Sequence, residues 1–223
     1  MVWSLCPLIF SLCTVPLVDS LKYPFPRYPK ARDNLTAVVL VADGSEELEA
    51  VSVVELLRRA GIRTTVAGVA GADPVTCKYG MVLTPDCSLA EALTRGLYDA
   101  VVIPGGEEAA NYMSQSEEVG QLLLNHEKEE CYFGALSAGP LVLNAHNIKY
   151  LCRLTSAPEY MEKLHTHYSY YSHEDTIVDV SARVVTGRYP GRAFEFVLSL
   201  INHVADLETA NKVSYDILPY TMV

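Results

Sequence analysis

The chain has 223 residues, of which 50% are hydrophobic and 20% charged. This balance is typical of a globular protein and excludes a fibre or an extended disordered chain. With 27 acidic and 17 basic residues the formal net charge is -10, which repels phosphate backbones and anionic lipid. Nucleic acid is therefore not expected as the primary partner.

Residues 1–35 are interpreted as an irregular leader. The run from Val2 to Val18 is almost wholly apolar, but two prolines interrupt it and no basic residue precedes it. It is too short and broken to predict a stable membrane span, and it lacks the charged start and the small-residue cleavage site of a signal peptide. We expect a cytoplasmic protein, with a mitochondrial presequence and a secretory route left open as alternatives.

Residues 36–206 are predicted to form one domain, because short β-branched runs alternate with helical stretches, as in βαβ units around a mostly parallel sheet. The first strand is predicted at TAVVLVA, and a helix that ends at Gly61 follows it. The spacing predicts an apolar face on this helix, made by Leu48, Val51, Val54 and Leu57.

Further strands are predicted at IRTTVAGVA, DAVVIP and CYFGAL, a hairpin at CKYGMVLTPD, and helices at SLAEALTRG and SEEVGQLLLNHEKEE. A short helix near Pro158 to Leu164, a tyrosine-rich strand HTHYSYY, strands about Ile177 and Val184, and a long helix GRAFEFVLSLINHVA follow. Residues 207–223 are predicted to form a last helix and a frayed tail.

The segment ALSAGPLVL carries the most informative turn. Ser137 lies between a predicted strand and a helix, Ala138 and Gly139 are small, and Pro140 suits a first helical turn that needs no amide donor. This is the layout of a nucleophile elbow, which holds one side chain beside backbone N–H groups and the positive end of a helix. A plain turn with a capping serine has the same spacing, so both interpretations stay open.

No metal site or cofactor is predicted. The cysteines beyond the leader are Cys77, Cys87, Cys131 and Cys152, without CxxC or Cys/His zinc spacing. Cys131 and Cys152 adjoin apolar runs and are typical of small buried hydrophobes in a reducing compartment.

Several segments, in order, closely resemble the ThiJ/PfpI superfamily of class I glutamine amidotransferase-like proteins, in particular its Parkinson disease protein 7-like branch. They are VVLVADGSEELEAV, LLRRAGIRTTVAGVAG, DPVTC, YDAVVIPGG, ALSAGPLVL and FEFVL, and the similarity spans about Thr36 to Tyr220. The resemblance implies an α/β fold: a flavodoxin-like sandwich with a mostly parallel central sheet, flanking helices and a nucleophile elbow.

The resemblance also implies the site residues. The family's reactive cysteine falls on Ser137, the glutamate that hydrogen-bonds it falls on Glu49, and the anion pocket falls on Gly105, Gly106 and Ala138. The family's thiolate oxidises or adds to the aldehyde carbon of glyoxals. A serine hydroxyl has no comparable oxidation chemistry and is a weak nucleophile unless a base takes its proton.

A second departure is Ala157, at a position where many relatives have histidine. We expect Glu49, beside a buried apolar elbow, to be protonated and to donate a hydrogen bond. Cys77 matches a cysteine near the dimer surface of the branch, and we expect any thiol modification at Cys77 or Cys87.

The resemblance implies an oxidative-stress response protein of glyoxalase or protein deglycase type, here with weak or no catalysis. One alternative is a non-catalytic dimeric binding or chaperone-like module. A second is a serine hydrolase that uses Ser137 with His173. The expected explanation of His165, His167 and His173 is that they occupy ordinary exposed or edge positions in or beside a strand. The expected partners are a second copy of the chain, because the family dimerises through its first helix, and a small aldehyde or oxyanion.

Overall fold

The structure is a computed structural model that describes residues 34–217, except residues 166, 167, 169 and 172. The expectations for the leader up to residue 33, for the tail from residue 218 and for part of the HTHYSYY strand lie outside the described residues. No helix in the described part of the chain combines the length and the apolar character that crossing a membrane requires.

A central sheet of seven strands organises the fold. The strands of the described chain are β1 Thr36–Val41, β2 Arg63–Gly68, β3 Val75–Thr76, β4 Val82–Leu83, β5 Cys87–Ser88, β6 Ala100–Ile103, β7 Tyr132–Leu136, β8 Arg153–Leu154, β9 Tyr170–Tyr171, β10 Thr176–Asp179 and β11 Val184–Gly187. The central sheet has the order β10-β11-β7-β6-β1-β2-β5, and only β10 runs antiparallel to its neighbour. The predicted mostly parallel sheet is confirmed. A hairpin is formed by β3 and β4, but its first strand lies before the segment CKYGMVLTPD that was predicted to contain it.

Helices cover both faces of this sheet. They are α1 Glu47–Arg59, α2 Leu89–Thr94, α3 Glu107–Gln115, α4 Glu117–Lys128, α5 Pro140–Ala145, α6 Met161–Leu164, α7 Ala193–Val204 and α8 Leu207–Ile217, with 3-10 turns at Pro158–Tyr160 and Pro190–Arg192. Helix α3 is not predicted from the sequence. Its buried residues are Ala109, Ala110 and Met113, and two alanines give little hydrophobic periodicity.

The two faces of β1 show how the strands divide the core. Val38 and Leu40 pack in the cluster that includes α2, α3, α4 and α5, whereas Ala37 and Val39 pack in the cluster that includes α1, α7 and α8. Because successive side chains of a strand point to opposite faces, a strand buried on both sides is apolar at every position. This is why TAVVLVA has no polar alternation.

The predicted inward face of α1 is wrong in part. Leu48 is 49% exposed and Val51 is 41% exposed, while Ala50, Val53 and Leu57 face the core. Both sets have helical spacing, so periodicity alone cannot choose between them. In the structure the set that contains Ala50 faces the core. Leu48 and Val51 therefore form an apolar stripe on α1 that is exposed on the single chain.

Candidate functional site

Ser137 lies at the end of β7, immediately before the turn into α5. Its backbone has φ +48, a left-handed conformation that is rare for a residue with a Cβ. Two backbone hydrogen bonds hold it: its N–H donates to the carbonyl of Gly187 at 2.8 Å, and its carbonyl accepts from the N–H of Ala157 at 3.2 Å. The turn therefore has the strained geometry of a nucleophile elbow rather than of a plain turn.

Small residues make the elbow sterically feasible. A Cβ added at Gly139 would lie 2.4 Å from the carbonyl oxygen of Ile103. A Cβ added at Gly105 would lie 2.7 Å from Oε2 of Glu49 and 2.8 Å from Cβ of Ser137. All three distances are shorter than real Cβ contacts, so the chain can pack this closely around the elbow only because Gly105 and Gly139 carry no side chain.

Glu49 of α1 is fully buried and contacts the elbow directly. Its Oε1 atom forms a short hydrogen bond with Oγ of Ser137, and its Oε2 atom accepts from the N–H of Gly105 at 2.5 Å. Burial raises the pKa of Glu49 to about 7, against the opposing effect of the hydrogen bonds from Ser137 and Gly105. Near neutral pH the carboxyl is therefore present in both protonation states.

The proton of this pair faces the serine. Gly105 N–H occupies Oε2, so a protonated Glu49 donates from Oε1 to Oγ of Ser137. The serine proton then turns to another acceptor, and the carbonyl of Arg188 lies 3.5 Å from Oγ. When Glu49 is ionised, the serine hydroxyl instead donates to Oε1. The direction of one hydrogen bond thus depends on pH.

Of the three residues assigned to the anion pocket, two keep a free amide. The N–H groups of Gly106 and Ala138 have no acceptor among the described residues, whereas the N–H of Gly105 is engaged by Glu49. Gly106 is also the residue that precedes α3, so an acceptor there lies at the positive end of that helix. The amides left for a ligand oxygen are those of Gly106 and Ala138.

Ala157 carries no reactive group, and the two candidate cysteines are buried. Ala157 is buried and its N–H donates to the carbonyl of Ser137, but its side chain is a methyl group, which can neither donate nor accept a proton. Cys77, after the β3 strand, and Cys87, in β5, are both buried, and burial raises the pKa of each thiol. A raised pKa lowers the thiolate fraction of each cysteine, and modification at Cys77 or Cys87 stays a prediction.

The structure places His173 beside Arg188 rather than at the elbow. The Arg188 guanidinium donates to the His173 carbonyl at 2.7 Å, and its distance to Nδ1 of His173 is 3.5 Å. Within the described residues, the hydrogen-bond partners of the Ser137 hydroxyl are Glu49 and the Arg188 carbonyl. The serine–histidine pair of a hydrolase is not formed there. His167 lies outside the described residues.

Sequence reasoning missed one contributor, the carbonyl of Arg188. It belongs to no motif, because it is a backbone atom that reaches Ser137 only in the folded chain. Groups of histidine, cysteine and carboxylate that could hold a metal ion are absent from the part of the chain that the structure describes.

A mostly parallel α/β sandwich that presents one hydroxyl on a strained strand-to-helix turn, against a buried carboxyl, defines a flavodoxin-like protein with a nucleophile elbow. Residues 35–203 match the DJ-1/PfpI family. The chain belongs to the DJ-1/PfpI family, which confirms the resemblance of its motifs.

Individual relatives agree with this assignment. The chain is 38% identical over 177 residues to the Parkinson disease protein 7 homolog of Danio rerio, covering 79% of this chain and 93% of that protein. It is 30% identical over 179 residues to a glutathione-independent glyoxalase of Caenorhabditis elegans, covering 79% and 91%. The crystal structure of Drosophila melanogaster DJ-1beta superposes with a TM-score of 0.80 at 36% identity, covering 83% of this chain and 98% of that one.

Proposed function

We propose that this chain is an oxidative-stress response protein of the DJ-1/PfpI family that binds a small aldehyde or oxyanion at its elbow and has weak or no catalysis. The observation that carries the proposal is the placement of Ser137 against Glu49, with the N–H groups of Gly106 and Ala138 beside it. A relative named as a glyoxalase supports an aldehyde as the ligand. Free thiols at Cys77, Cys87, Cys131 and Cys152 favour a reducing compartment such as the cytoplasm.

The chemistry that Ser137 can perform on an aldehyde is a reversible addition. Ionised Glu49 takes the proton of the serine hydroxyl, Oγ forms a bond to the carbonyl carbon, and the π electrons move to the carbonyl oxygen, where the amides of Gly106 and Ala138 would stabilise the charge. Transfer of the proton held by Glu49 to that oxygen, directly or through water, gives a hemiacetal with no leaving group. Conversion of the hemiacetal to a product requires a second proton-transfer group, and Ala157 provides none. We therefore expect the adduct to return to reactants.

A non-catalytic homodimeric binding module is the second candidate. The exposed apolar residues Leu48 and Val51 on α1 favour it, because they give the single chain a surface suited to a second copy. In this function the elbow pocket is a binding site only.

Methylglyoxal consumption distinguishes the two candidates. We expect the unmodified protein to consume methylglyoxal no faster than Ser137→Ala, and Ser137→Cys to gain measurable activity, because sulfur is the better nucleophile in the same pocket. Strong turnover by the unmodified protein would contradict weak catalysis, and an inactive Ser137→Cys protein would favour the binding module.

A further inference from the structure

Glu46 precedes α1, and its side chain caps this helix. Oε2 of Glu46 accepts a hydrogen bond from the N–H of Glu49 at 2.8 Å. Glu46 is 5% exposed, so the bond is largely shielded from water. The first N–H groups of a helix have no partner within the helix, and a capping side chain holds the first turn in place. The cap of α1 therefore fixes the backbone of Glu49, the residue whose carboxyl contacts Ser137.

The main chain of Glu46 holds a second part of the site. Its N–H donates to the carbonyl of Gly105 at 3.0 Å. The C=O and N–H of a trans peptide group point in opposite directions, so this bond turns the N–H of Gly106 away from Glu46. A Cβ added at Gly106 would lie 2.9 Å from the backbone N of Glu46, so the two backbones pack closely. Glu46 thus fixes the direction of one of the two amides left for a ligand oxygen.

These hydrogen bonds form a closed cycle of three residues. The N–H of Glu46 donates to the carbonyl of Gly105, and the N–H of Gly105 donates to Oε2 of Glu49 at 2.5 Å. The N–H of Glu49 donates in turn to the carboxyl of Glu46. Within the described residues, the partners of the Ser137 hydroxyl are Glu49 and the Arg188 carbonyl, so Glu46 acts on the elbow through the other members of the cycle.

The charge of Glu46 and its hydrogen bond act on the site in opposite directions. Burial raises the pKa of Glu46, and the hydrogen bond from Glu49 opposes this; Glu47 raises the pKa further and Lys78 lowers it. After burial, which is the main cause, the charge of Glu46 also raises the pKa of Glu49, and Lys78 again lowers it. A negative Glu46 thus disfavours a further negative charge nearby. Its hydrogen bond favours one, because it holds the groups that stabilise an anion.

We propose that Glu46 is a positioning residue of the elbow site: by capping α1 at Glu49, its carboxyl holds Glu49 and the amide of Gly106 in the arrangement that stabilises negative charge at position 137. This inference rests on the proposed function, since it concerns the same pocket, but its test requires no aldehyde. The adjacent Glu47 has a different role, because its carboxylate accepts from the N–H of Tyr79 in the hairpin.

The reactivity of a thiol placed at position 137 tests the role of Glu46. In the full-length Ser137→Cys protein, the rate of alkylation of position 137 by iodoacetamide is measured at pH 6 and at pH 9 by peptide mass spectrometry. Because only the thiolate reacts, the ratio of the two rates reports the pKa of this thiol, and a change of access affects both rates alike. Glu46→Gln and Glu46→Met are compared in this background. Both are neutral and of similar length, and only glutamine retains an acceptor for the N–H of Glu49.

We expect the ratio of the rate at pH 6 to the rate at pH 9 to be about fivefold to tenfold lower in Glu46→Met than in Glu46→Gln, the effect of one lost hydrogen bond. Glu46→Gln should match or exceed the protein that retains Glu46, because it loses the charge and keeps the bond. Asp206→Leu and Asp206→Asn are the matched control. Oδ1 of Asp206 accepts from the N–H of Thr209 in α8 at 2.7 Å, and loss of this cap should lower stability without changing the ratio.

Equal ratios in Glu46→Met and Glu46→Gln overturn the proposal. A change of the same size between the two Asp206 variants also overturns it, since the effect would then be one of stability alone. If circular dichroism shows that Glu46→Met does not fold, Glu46→Ala and Glu46→Ser replace the pair, because both are small and neutral and only serine retains an acceptor.

Protection of position 137 by methylglyoxal is measured separately in the same Ser137→Cys protein. If methylglyoxal does not slow alkylation, the aldehyde ligand of the proposed function fails. The ratio of alkylation rates still decides the role of Glu46, because that measurement contains no aldehyde.

Discussion

Ser137 and Glu49 form the pair on which the residue-scale predictions depend. The elbow, the adjoining amides and the buried carboxyl favour a polarised or charged atom at position 137, but oxygen has no oxidation chemistry like that of sulfur. Replacing the atom at position 137 should therefore change the reactivity of the site while its surroundings stay the same.

Peroxide treatment tests this separation. We expect no modification of position 137 in the unmodified protein, and oxidation to sulfinate in Ser137→Cys, because the amides and Glu49 can hydrogen-bond the oxidised sulfur. Since Ala157 provides no base, oxidation should recover more fully than methylglyoxal turnover. Intact-mass and peptide mass spectrometry measure it; a thiol at position 137 that resists peroxide as well as buried Cys152 does would contradict the prediction.

The raised pKa of Glu49 predicts a pH dependence of stability. The carboxyl titrates near its usual value of 4.5 when unfolded and at about 7 when folded, so the folded state holds more protons between these values. The contribution of Glu49 to the free energy of unfolding is complete below the pKa of the unfolded chain. It is lost as pH rises through the pKa of the folded protein, and the total loss is about 3 kcal/mol. The variant Glu49→Gln retains a donor towards Ser137 but cannot ionise, so we expect its stability not to fall for this reason as pH rises. Urea denaturation at pH 5 and pH 8 should show a smaller decrease for the variant than for the unmodified protein.

At the scale of elements, His126 joins α4 to the segment before β6. Its Nε2 atom accepts from the N–H of Tyr98 at 2.9 Å, so Nδ1–H donates to the carbonyl of Leu122 at 2.7 Å, and the ring stacks on that of Tyr98. Both nitrogens are used in the neutral form. Burial lowers the pKa of His126, as expected for an imidazole with no place for a second proton.

His126→Phe is predicted to destabilise the protein by about 1–3 kcal/mol at pH 7.5, because it keeps the ring but leaves the buried N–H of Tyr98 without an acceptor. In the unmodified protein the stabilisation by neutral His126 is complete above 6.5, the usual pKa of histidine. It is lost as pH falls through the lower pKa of His126 in the folded protein. The difference between the two proteins should therefore shrink at pH 5. A difference that is the same at both pH values in urea denaturation would contradict the account.

On the scale of the whole molecule, the exposed apolar stripe of α1 predicts a homodimer. Leu48 and Val51 lie on this helix, and Met81 and Val82 of the adjoining hairpin are exposed as well. Burying such side chains against a second copy removes apolar surface from water. Sedimentation should show a dimer at micromolar concentration.

Leu48→Lys with Val51→Lys should shift the protein to a monomer, whereas Leu124→Lys, at an exposed leucine of α4, should not. Because these positions are solvent-exposed on the single chain, folding should survive in each case, which circular dichroism can check. A monomeric unmodified protein would rule out the α1 interface.

Local patterns in the sequence were sufficient for most elements. Neighbours in the chain were enough to predict the apolar run of β1, the glycine that ends α1 and the turn at Ser137. They also predicted a hairpin, although β3 lies before the predicted segment. The elements that were not predicted include the two-residue strands β5 and β8 and the helix α3. Helix α3 carries its inward face largely on alanines, whose small side chains give a weak periodic signal.

The sequence by itself thus determined the class of fold and the resemblance to the family, because propensity, turn chemistry and motif order are local properties. It left an elbow and a plain capped turn both open at Ser137, and the left-handed φ of +48 decided for the elbow. Tertiary structure decided which stripe of α1 faces inward, since two stripes had helical spacing and only packing against the sheet distinguishes them. It also decided the chemistry of the site. Glu49 and Ser137 are 88 positions apart and Glu49 and Gly105 are 56 apart, so their contact and the raised pKa of Glu49 exist only after the strand ends meet and water is excluded.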